Sequence, residues 1–204
     1  MRATARSLAI ALATAGLLAA CHKPAPAPAT EPEMALGNPA AKVTVVEYAS
    51  DTCPHCARFG EQVFPAFKAK YVDTGKVRYV FREFLTPPVN VAAAGFLLAR
   101  CAGKDNYFKV VDAEFRAQDR IYQSSDVHGV LGEIGKSFGL SQAQVDACIQ
   151  DPTALAALQQ RVDKAADEDH ITGTPTILVN GTILGVGEVT LAQLDAAIQP
   201  LLAK

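Results

Sequence analysis

Two cysteines separated by two residues stand where a predicted strand gives way to a predicted helix, and no other feature of the sequence restricts the fold as strongly. The β-branched, apolar run at residues 42–48 is typical of a buried strand. Pro54 suits the first turn of a helix, where the missing backbone N–H has no partner to lose. Cys53 would then face the free N–H groups and the positive end of the helix, which favour a thiolate, and Cys56 would lie one turn deeper. His55, when protonated, would stabilise the Cys53 thiolate further.

The Cys53–Cys56 pair has three alternative explanations. A zinc site needs a second close pair of ligands, whereas Cys101 and Cys148 are 47 positions apart. Covalent haem attachment needs a histidine directly after the motif, and the residue there is Ala57. A static disulfide is the third alternative. We favour a redox-active pair, because the motif lies between a strand and a helix.

The order of the predicted elements matches the two halves of a thioredoxin fold. A second strand alternates over residues 77–84, and several helical patterns follow between about 88 and 170. Two short strands flank Asn180-Gly181, which is the strongest hairpin signal in the chain, and a helix closes the sequence. Two of the helices open with capping boxes, Ser141 with Gln144 and Thr190 with Gln193. We therefore predict an α/β thioredoxin fold, with a mixed four-stranded sheet flanked by helices and an inserted all-helical subdomain.

The N-terminal part of the chain has the pattern of an exported and tethered protein. Residues 1–20 combine basic positions with an apolar run that is too short for a membrane span, as in a signal peptide. Cys21 follows Leu-Ala-Ala and resembles the acylated cysteine of the bacterial lipoprotein box. The alternative is a plain signal peptide and an incidental cysteine. Residues 21–36 are rich in Pro and Ala, which favours an extended tether, and residues 37–204 are long enough for one domain.

Two further positions are candidates for the same site. Glu47 lies near the end of the first strand, where a buried carboxyl group could exchange protons with the deeper thiol. Its alternative is an acid that reaches solvent. Thr174-Pro175 precedes the third predicted strand. Proline is common at the first position of a strand, so an ordinary strand start competes with a cis proline that presents backbone groups to an extended substrate.

These motifs together resemble those of the DsbA-type family of thioredoxin-fold proteins, over roughly residues 37 to 203. The motifs that carry the resemblance are Glu47, Cys53-Pro54-His55-Cys56, Phe81-Arg82-Glu83-Phe84 and Thr172-Gly173-Thr174-Pro175-Thr176. The resemblance implies that Cys53 is the exposed nucleophile, Cys56 its partner, Pro175 the cis proline and Glu47 the buried acid. Thr174 departs from the oxidase prototype, which has an apolar residue there, and resembles isomerase and reductase relatives.

The resemblance implies a protein disulfide oxidoreductase that needs no cofactor or metal. Its substrates would be extended or unfolded exported polypeptides with cysteines, and a membrane protein of the DsbB kind would reoxidise it. A disulfide reductase or isomerase, and a membrane-tethered metallochaperone, are the alternatives. We expect a monomer in the bacterial periplasm, anchored through Cys21. The formal net charge of −2, without a basic stripe, argues against nucleic-acid partners.

The two remaining cysteines, Cys101 and Cys148, fall in separate helices of the predicted insertion. In an oxidising compartment we favour a structural disulfide between them over two free buried thiols. Such a bridge would close a long loop and stabilise the fold by restricting the unfolded chain.

Overall fold

The computed structural model describes residues 33–203, and within them five strands form one mixed sheet in the order β1-β3-β2-β4-β5. The strands are β1 Met34–Leu36, β2 Val43–Ala49, β3 Val77–Glu83, β4 Thr176–Val179 and β5 Thr182–Val186. The central strand β2 runs parallel to β3 and antiparallel to β4, with Glu47 opposite Phe81 on one side and Ile177 on the other. The predicted α/β class, with a mixed sheet flanked by helices and a helical insertion, is confirmed.

The predicted number of four strands is wrong by one. The additional strand β1 pairs antiparallel with the edge of β3 and places Met34 opposite Phe81. It is three residues long and lies in the segment that the sequence assigned to the tether. So short a strand shows no alternation of its own, and its backbone hydrogen bonds come entirely from β3.

The chain between β2 and β3 forms three helical pieces, which are α1 Pro54–Gln62, α2 Phe64–Phe67 and a π-helical turn at Lys68–Val72. Pro65 lies in the first turn of α2, where its missing N–H is tolerated, and the helix breaks before it. Phe59, Phe67 and Tyr71 are buried along one stripe across this break. The stripe packs the three pieces on the sheet and fixes the start of α1 beside the end of β2.

Five helices follow β3 and form the insertion, and a last helix closes the fold. They are α3 Val89–Cys101, α4 Tyr107–Ser124, α5 Val127–Ser137, α6 Gln142–Ile149, α7 Pro152–Asp167 and α8 Leu191–Leu202. Both predicted capping boxes are confirmed, at the starts of α6 and α8. Cys101, the last residue of α3, is joined to Cys148 on α6 by a disulfide, with 5.9 Å between the two Cα atoms.

The predicted signal peptide, Cys21 and nearly all of the predicted tether lie outside the described residues. Among residues 33–203, none of the helices combines the length and the apolar character needed to cross a membrane.

Candidate active site

Cys53 is the N-cap of α1 and holds its sulfur over the start of the helix. Its backbone is extended, with φ −89° and ψ 115°, and Pro54 follows in the first turn. The Cys56 backbone N–H donates to the Cys53 sulfur, with 3.4 Å between the two atoms. The Cys53 N–H donates in turn to the Ser50 carbonyl at 3.0 Å, which fixes the approach of the chain. The residue is only 6 % exposed, so Cys53 is buried and not exposed as the resemblance implied.

The two thiols are perturbed in opposite directions. A hydrogen bond from the Cys56 side chain is the main cause that lowers the pKa of Cys53 to about 5; burial opposes it, and hydrogen bonds from Thr174 and from the backbone of Cys56 and His55 add to it. Burial, followed by the hydrogen bond to Cys53 and the charge on Cys53, raises the pKa of Cys56 well above its ordinary value. Both cysteines are free thiols. At neutral pH the outer sulfur is therefore a thiolate and the inner one a neutral thiol.

The loop before β4 lies against the Cys53 sulfur. The Thr174–Pro175 peptide bond is cis, and the Cys53 sulfur lies 3.3 Å from the Thr174 carbonyl oxygen, to which it donates only while the thiol is protonated. The Pro175 carbonyl accepts from the Gly187 N–H at 2.7 Å, which holds the loop to the strand behind it. The fold thus brings Thr174 and Pro175, far along the chain, into contact with the CPHC motif.

Glu47 lies in the centre of the sheet and is 2 % exposed. Its Oε2 accepts from the Tyr79 hydroxyl at 2.5 Å, and its Oε1 has no hydrogen-bond partner among the described residues. Burial is the main cause that raises the pKa of Glu47 to about 8, with the Tyr79 hydrogen bond opposing and the Cys53 charge adding. The charge of Glu47 in turn raises the pKa of Cys56. The carboxyl group therefore holds a proton near neutral pH and is electrostatically coupled to both cysteines.

His55 is on the outer side of α1, with about half of its side chain exposed. Its Nδ1 lies 3.4 Å from a carboxylate oxygen of Glu188, which also forms an ion pair with Arg58. The sequence did not identify Glu188, which follows β5 and comes near the motif only through the pairing of β4 with β5. A lone glutamate in a loop carries no local signal of this contact.

The sequence also missed polar residues that support the cysteine loop from α4. The Gln118 side-chain amide donates to the carbonyls of Asp51 and Cys53 at 2.6 and 3.1 Å, and the Tyr122 hydroxyl donates to the Thr52 carbonyl at 2.6 Å. Gln118 is buried. Polar residues in an amphipathic helix ordinarily indicate a solvent-facing side, so the sequence pattern of α4 could not show this contact.

The remaining predicted cysteines, Cys101 and Cys148, lie in α3 and α6 and not in the strand, loop and helix that build the site. Within the described part of the chain, the structure brings together no group of three or more His, Cys, Asp or Glu side chains suited to a metal ion.

The comparisons with known proteins include a family model and several proteins named for disulfide chemistry. A family model described as Thioredoxin matches residues 29–200. A Rickettsia conorii protein named as a candidate protein-disulfide oxidoreductase is 37% identical over 154 residues, which are 75% of this chain and 55% of that protein. Disulfide bond formation protein D of Bacillus subtilis is 26% identical over 166 residues, covering 77% of this chain and 72% of that protein. The chain thus spans about half the length of the Rickettsia relatives that it matches.

Solved structures agree with this result. The crystal structure of alpha-DsbA1 from Wolbachia pipientis superposes with a TM-score of 0.76 at 29% sequence identity, covering 84% of this chain and 91% of that one. Oxidised BdbD from Bacillus subtilis superposes with a TM-score of 0.75, at 22% identity, covering 84% of this chain and 94% of that one. The second likeness concerns the fold alone.

Proposed function

This chain belongs to the thioredoxin family, in its DsbA-type branch, and we propose that it catalyses thiol–disulfide exchange on cysteine-containing polypeptides through Cys53 and Cys56. The observation that carries the proposal is the opposite perturbation of the two thiols, with the pKa of Cys53 lowered to about 5 and that of Cys56 raised. A stabilised thiolate is a good leaving group, and it makes the dithiol form favourable. The disulfide form of such a pair readily oxidises other thiols.

The proposed reaction has two exchange steps. A substrate thiolate attacks the Cys53 sulfur of the Cys53–Cys56 disulfide, the intramolecular S–S bond breaks, and a mixed disulfide forms at Cys53. Cys56 leaves with the electron pair and takes a proton, for which the Glu47 carboxyl group is the buried source. A second substrate thiolate then attacks the substrate sulfur of the mixed disulfide and releases the Cys53 thiolate. The substrate has lost two electrons and the Cys53–Cys56 pair has gained them.

The cis-proline loop is the proposed contact for the substrate chain. The Thr174 carbonyl faces Cys53, whereas the Pro175 carbonyl is already bonded to Gly187. An extended polypeptide with its cysteine at Cys53 would pair with the backbone just before Pro175. Recognition through backbone groups makes few demands on the substrate sequence, which suits an enzyme with many unfolded clients.

Export and anchoring belong to the same proposal. We propose that residues 1–20 direct the chain out of the cytoplasm, that Cys21 carries the lipid, and that the Pro/Ala-rich segment tethers a monomeric domain to a membrane facing the periplasm. A membrane protein of the DsbB kind would reoxidise the cysteine pair.

A reductase or isomerase is the second candidate, and the residue before the cis proline is what favours it. Thr174 stands where the oxidase prototype has an apolar residue and resembles the residue of isomerase and reductase relatives, although its effect of lowering the pKa of Cys53 by itself favours the oxidising direction. The equilibrium of the Cys53–Cys56 pair with glutathione separates these directions: a potential near the oxidising end supports an oxidase, and one near that of thioredoxin supports a reductase. Tight stoichiometric copper binding without disulfide exchange would instead indicate a metallochaperone.

The decisive test compares single cysteine variants in a thiol-oxidation assay with a reduced, unfolded protein. Cys53→Ala should abolish exchange. Cys56→Ala, given the disulfide-bonded form of the same substrate, should accumulate mixed disulfides with it, because the Cys53 thiolate attacks the substrate disulfide, releases one substrate thiol, and has no second thiol beside it to resolve the bond. The matched control is the double variant Cys101→Ala with Cys148→Ala, which should retain exchange. In the reduced wild type, iodoacetamide should modify Cys53 first near neutral pH, because Cys56 is neutral there. Faster modification of Cys56, or exchange by the Cys53→Ala variant, would contradict the assignment.

A further inference from the structure

Two buried carboxyl groups face each other behind the active-site loop. Asp51, two residues before the nucleophile, is 5 % exposed, and Glu114 on α4 is 1 % exposed. All four of their oxygens lack a donor from any other side chain or backbone group of residues 33–203, and the two groups are within hydrogen-bonding contact of each other. The space left beside them is about 10 Å³, which is at most one water molecule.

The surroundings, within the described part of the chain, leave this pair no other partner. A Cβ atom on Gly95 of α3 would come within 2.4 Å of the Asp51 carboxylate, so the helix backbone closes that side. The rest of the wall of the small cavity is partly apolar, with Val91, Ile121 and Leu131, and partly formed by Thr52, Gln118 and Tyr122, none of which donates to the two carboxyl groups. Two carboxylates in such a place cannot both be charged, because each would be desolvated and would repel the other. A single proton between them removes one charge and supplies the hydrogen bond that both groups lack.

The electrostatics agree with this geometry. Burial, and then the charge on Glu83, raises the pKa of Asp51, while burial and then the charge on Asp51 raises the pKa of Glu114. Glu83 is itself paired with Arg100 and Arg161. The other titratable groups that act on or beside the pair are Tyr107, Tyr122 and Cys53.

The pair is connected to the nucleophile through one face of α4. Gln118 lies one turn after Glu114 and bonds the carbonyls of Asp51 and Cys53, and Tyr122 lies one turn further and bonds the carbonyl between them. Three consecutive carbonyls, ending with that of the nucleophile, are thus held by side chains four residues apart on one helix. Glu114, on the same face of α4, can form a hydrogen bond with Asp51 only if one of the two carboxyl groups is protonated.

We propose that Asp51 and Glu114 share one proton and act as a pH-dependent latch, which joins the helical insertion to the loop that presents Cys53. While the proton is shared, α4 holds the loop in the position that stabilises the thiolate. Loss of the proton leaves two facing carboxylates, whose repulsion loosens the loop. Both residues are positioning residues that act on the reaction through the placement of Cys53.

The number of protons held can be counted from unfolding. The oxidised full chain and the variant Asp51→Asn with Glu114→Gln, which keeps a hydrogen-bonded pair that cannot ionise, are unfolded with denaturant between pH 5 and 9. Relative to the variant, the wild-type folding equilibrium constant should fall about tenfold per pH unit until the proton is released, and then level off. Asp112→Asn, which neutralises an exposed acid on the same helix, should follow the wild type.

The change of the folding equilibrium constant per pH unit gives the number of protons that the pair holds in the folded protein. No slope means that both groups are ionised in the folded protein, and a hundredfold change per pH unit means that both are protonated; either result overturns the proposal. If the double variant does not fold, carboxyl-carbon NMR of the wild type gives the same count, with one protonated carboxyl expected for the two residues near pH 6. These measurements need no enzymatic activity, so they stand or fall separately from the proposed function.

The positioning role requires a second readout that stability alone would not change. Above pH 7 Cys53 is already a thiolate in the reduced protein. Its own ionisation therefore causes no change of its alkylation rate constant with pH in that range. In the wild type this rate constant should change by severalfold at the pH where the unfolding slope levels off. The double variant should lack this change of the alkylation rate constant with pH. Any change that is caused by the titration of Glu47 should remain, because both proteins contain Glu47. A one-proton unfolding slope without the alkylation step would reject the latch.

Discussion

Replacing Glu47 by Gln tests whether the central strand carries a protonated acid. Burial raises the pKa of Glu47 from an ordinary 4.5 to about 8, so the folded protein keeps a proton that the unfolded chain releases. The folded-state pKa of this acid is raised, so the wild type should lose stability relative to Glu47→Gln as pH rises. The difference should be absent below about pH 4.5, grow up to about pH 8 and stay constant above it.

The size of the effect follows from the same values. Each pH unit between the two pKa values contributes about 1.4 kcal/mol. The free energy of unfolding of the wild type, relative to that of the variant, should therefore be lower by about 3 kcal/mol at pH 7 than at pH 4.5. The amide carbonyl that the variant carries at this position can still accept from Tyr79, and any unpaired amide N–H adds a cost that does not depend on pH. The slope against pH, and not the difference at one pH, is therefore the diagnostic quantity.

The assay is denaturant unfolding of the reduced protein from pH 4 to 8, with Glu61→Gln, an exposed glutamate on α1, as the matched control. The control should show no such slope. Because the charge on Cys53 also raises the pKa of Glu47, the slope should extend to higher pH in the reduced than in the oxidised protein. A Glu47→Gln curve parallel to the wild type would contradict this prediction, since it would mean that the pKa of Glu47 is the same in the folded and the unfolded protein.

Two further predictions concern the other cysteines. Changing both Cys101 and Cys148 to Ala should lower the free energy of unfolding by up to about 4 kcal/mol on the loop-entropy estimate, with turnover retained; lost turnover at unchanged stability would instead make the pair a redox relay. Cys21→Ala should release the protein from the membrane fraction or stop its maturation, whereas a wild-type mature chain found wholly soluble would exclude the lipid anchor.

Several elements of the fold are determined by residues that lie close together in the sequence. The Asn180-Gly181 hairpin was predicted from two residues, and both have positive φ, at 47° and 81°, as the tight turn requires. The capping boxes likewise depend on side chains three residues apart. The CPHC motif predicted its own geometry, because a helix start supplies free N–H groups whatever the rest of the chain does.

The site beyond the motif could not be found in this way. Tyr79 reaches Glu47 only because β3 lies parallel to β2, and Glu188 reaches His55 only because the hairpin returns beside α1. Thr174 meets Cys53 across 121 positions of sequence. Secondary-structure propensities cannot predict these pairs, because each contact forms through the packing of elements that are distant along the chain.

The sequence alone determined the order of most elements, the starts of the two capped helices, and which two thiols would meet at a helix start. The tertiary structure decided the protonation of the buried acids, because the pKa of a carboxyl group depends on the water and charges around it, and those are set by packing. Glu47 and the facing pair of Asp51 and Glu114 are ordinary acids in the printed sequence. They become proton-holding groups only when the sheet, the cysteine loop and α4 close over them.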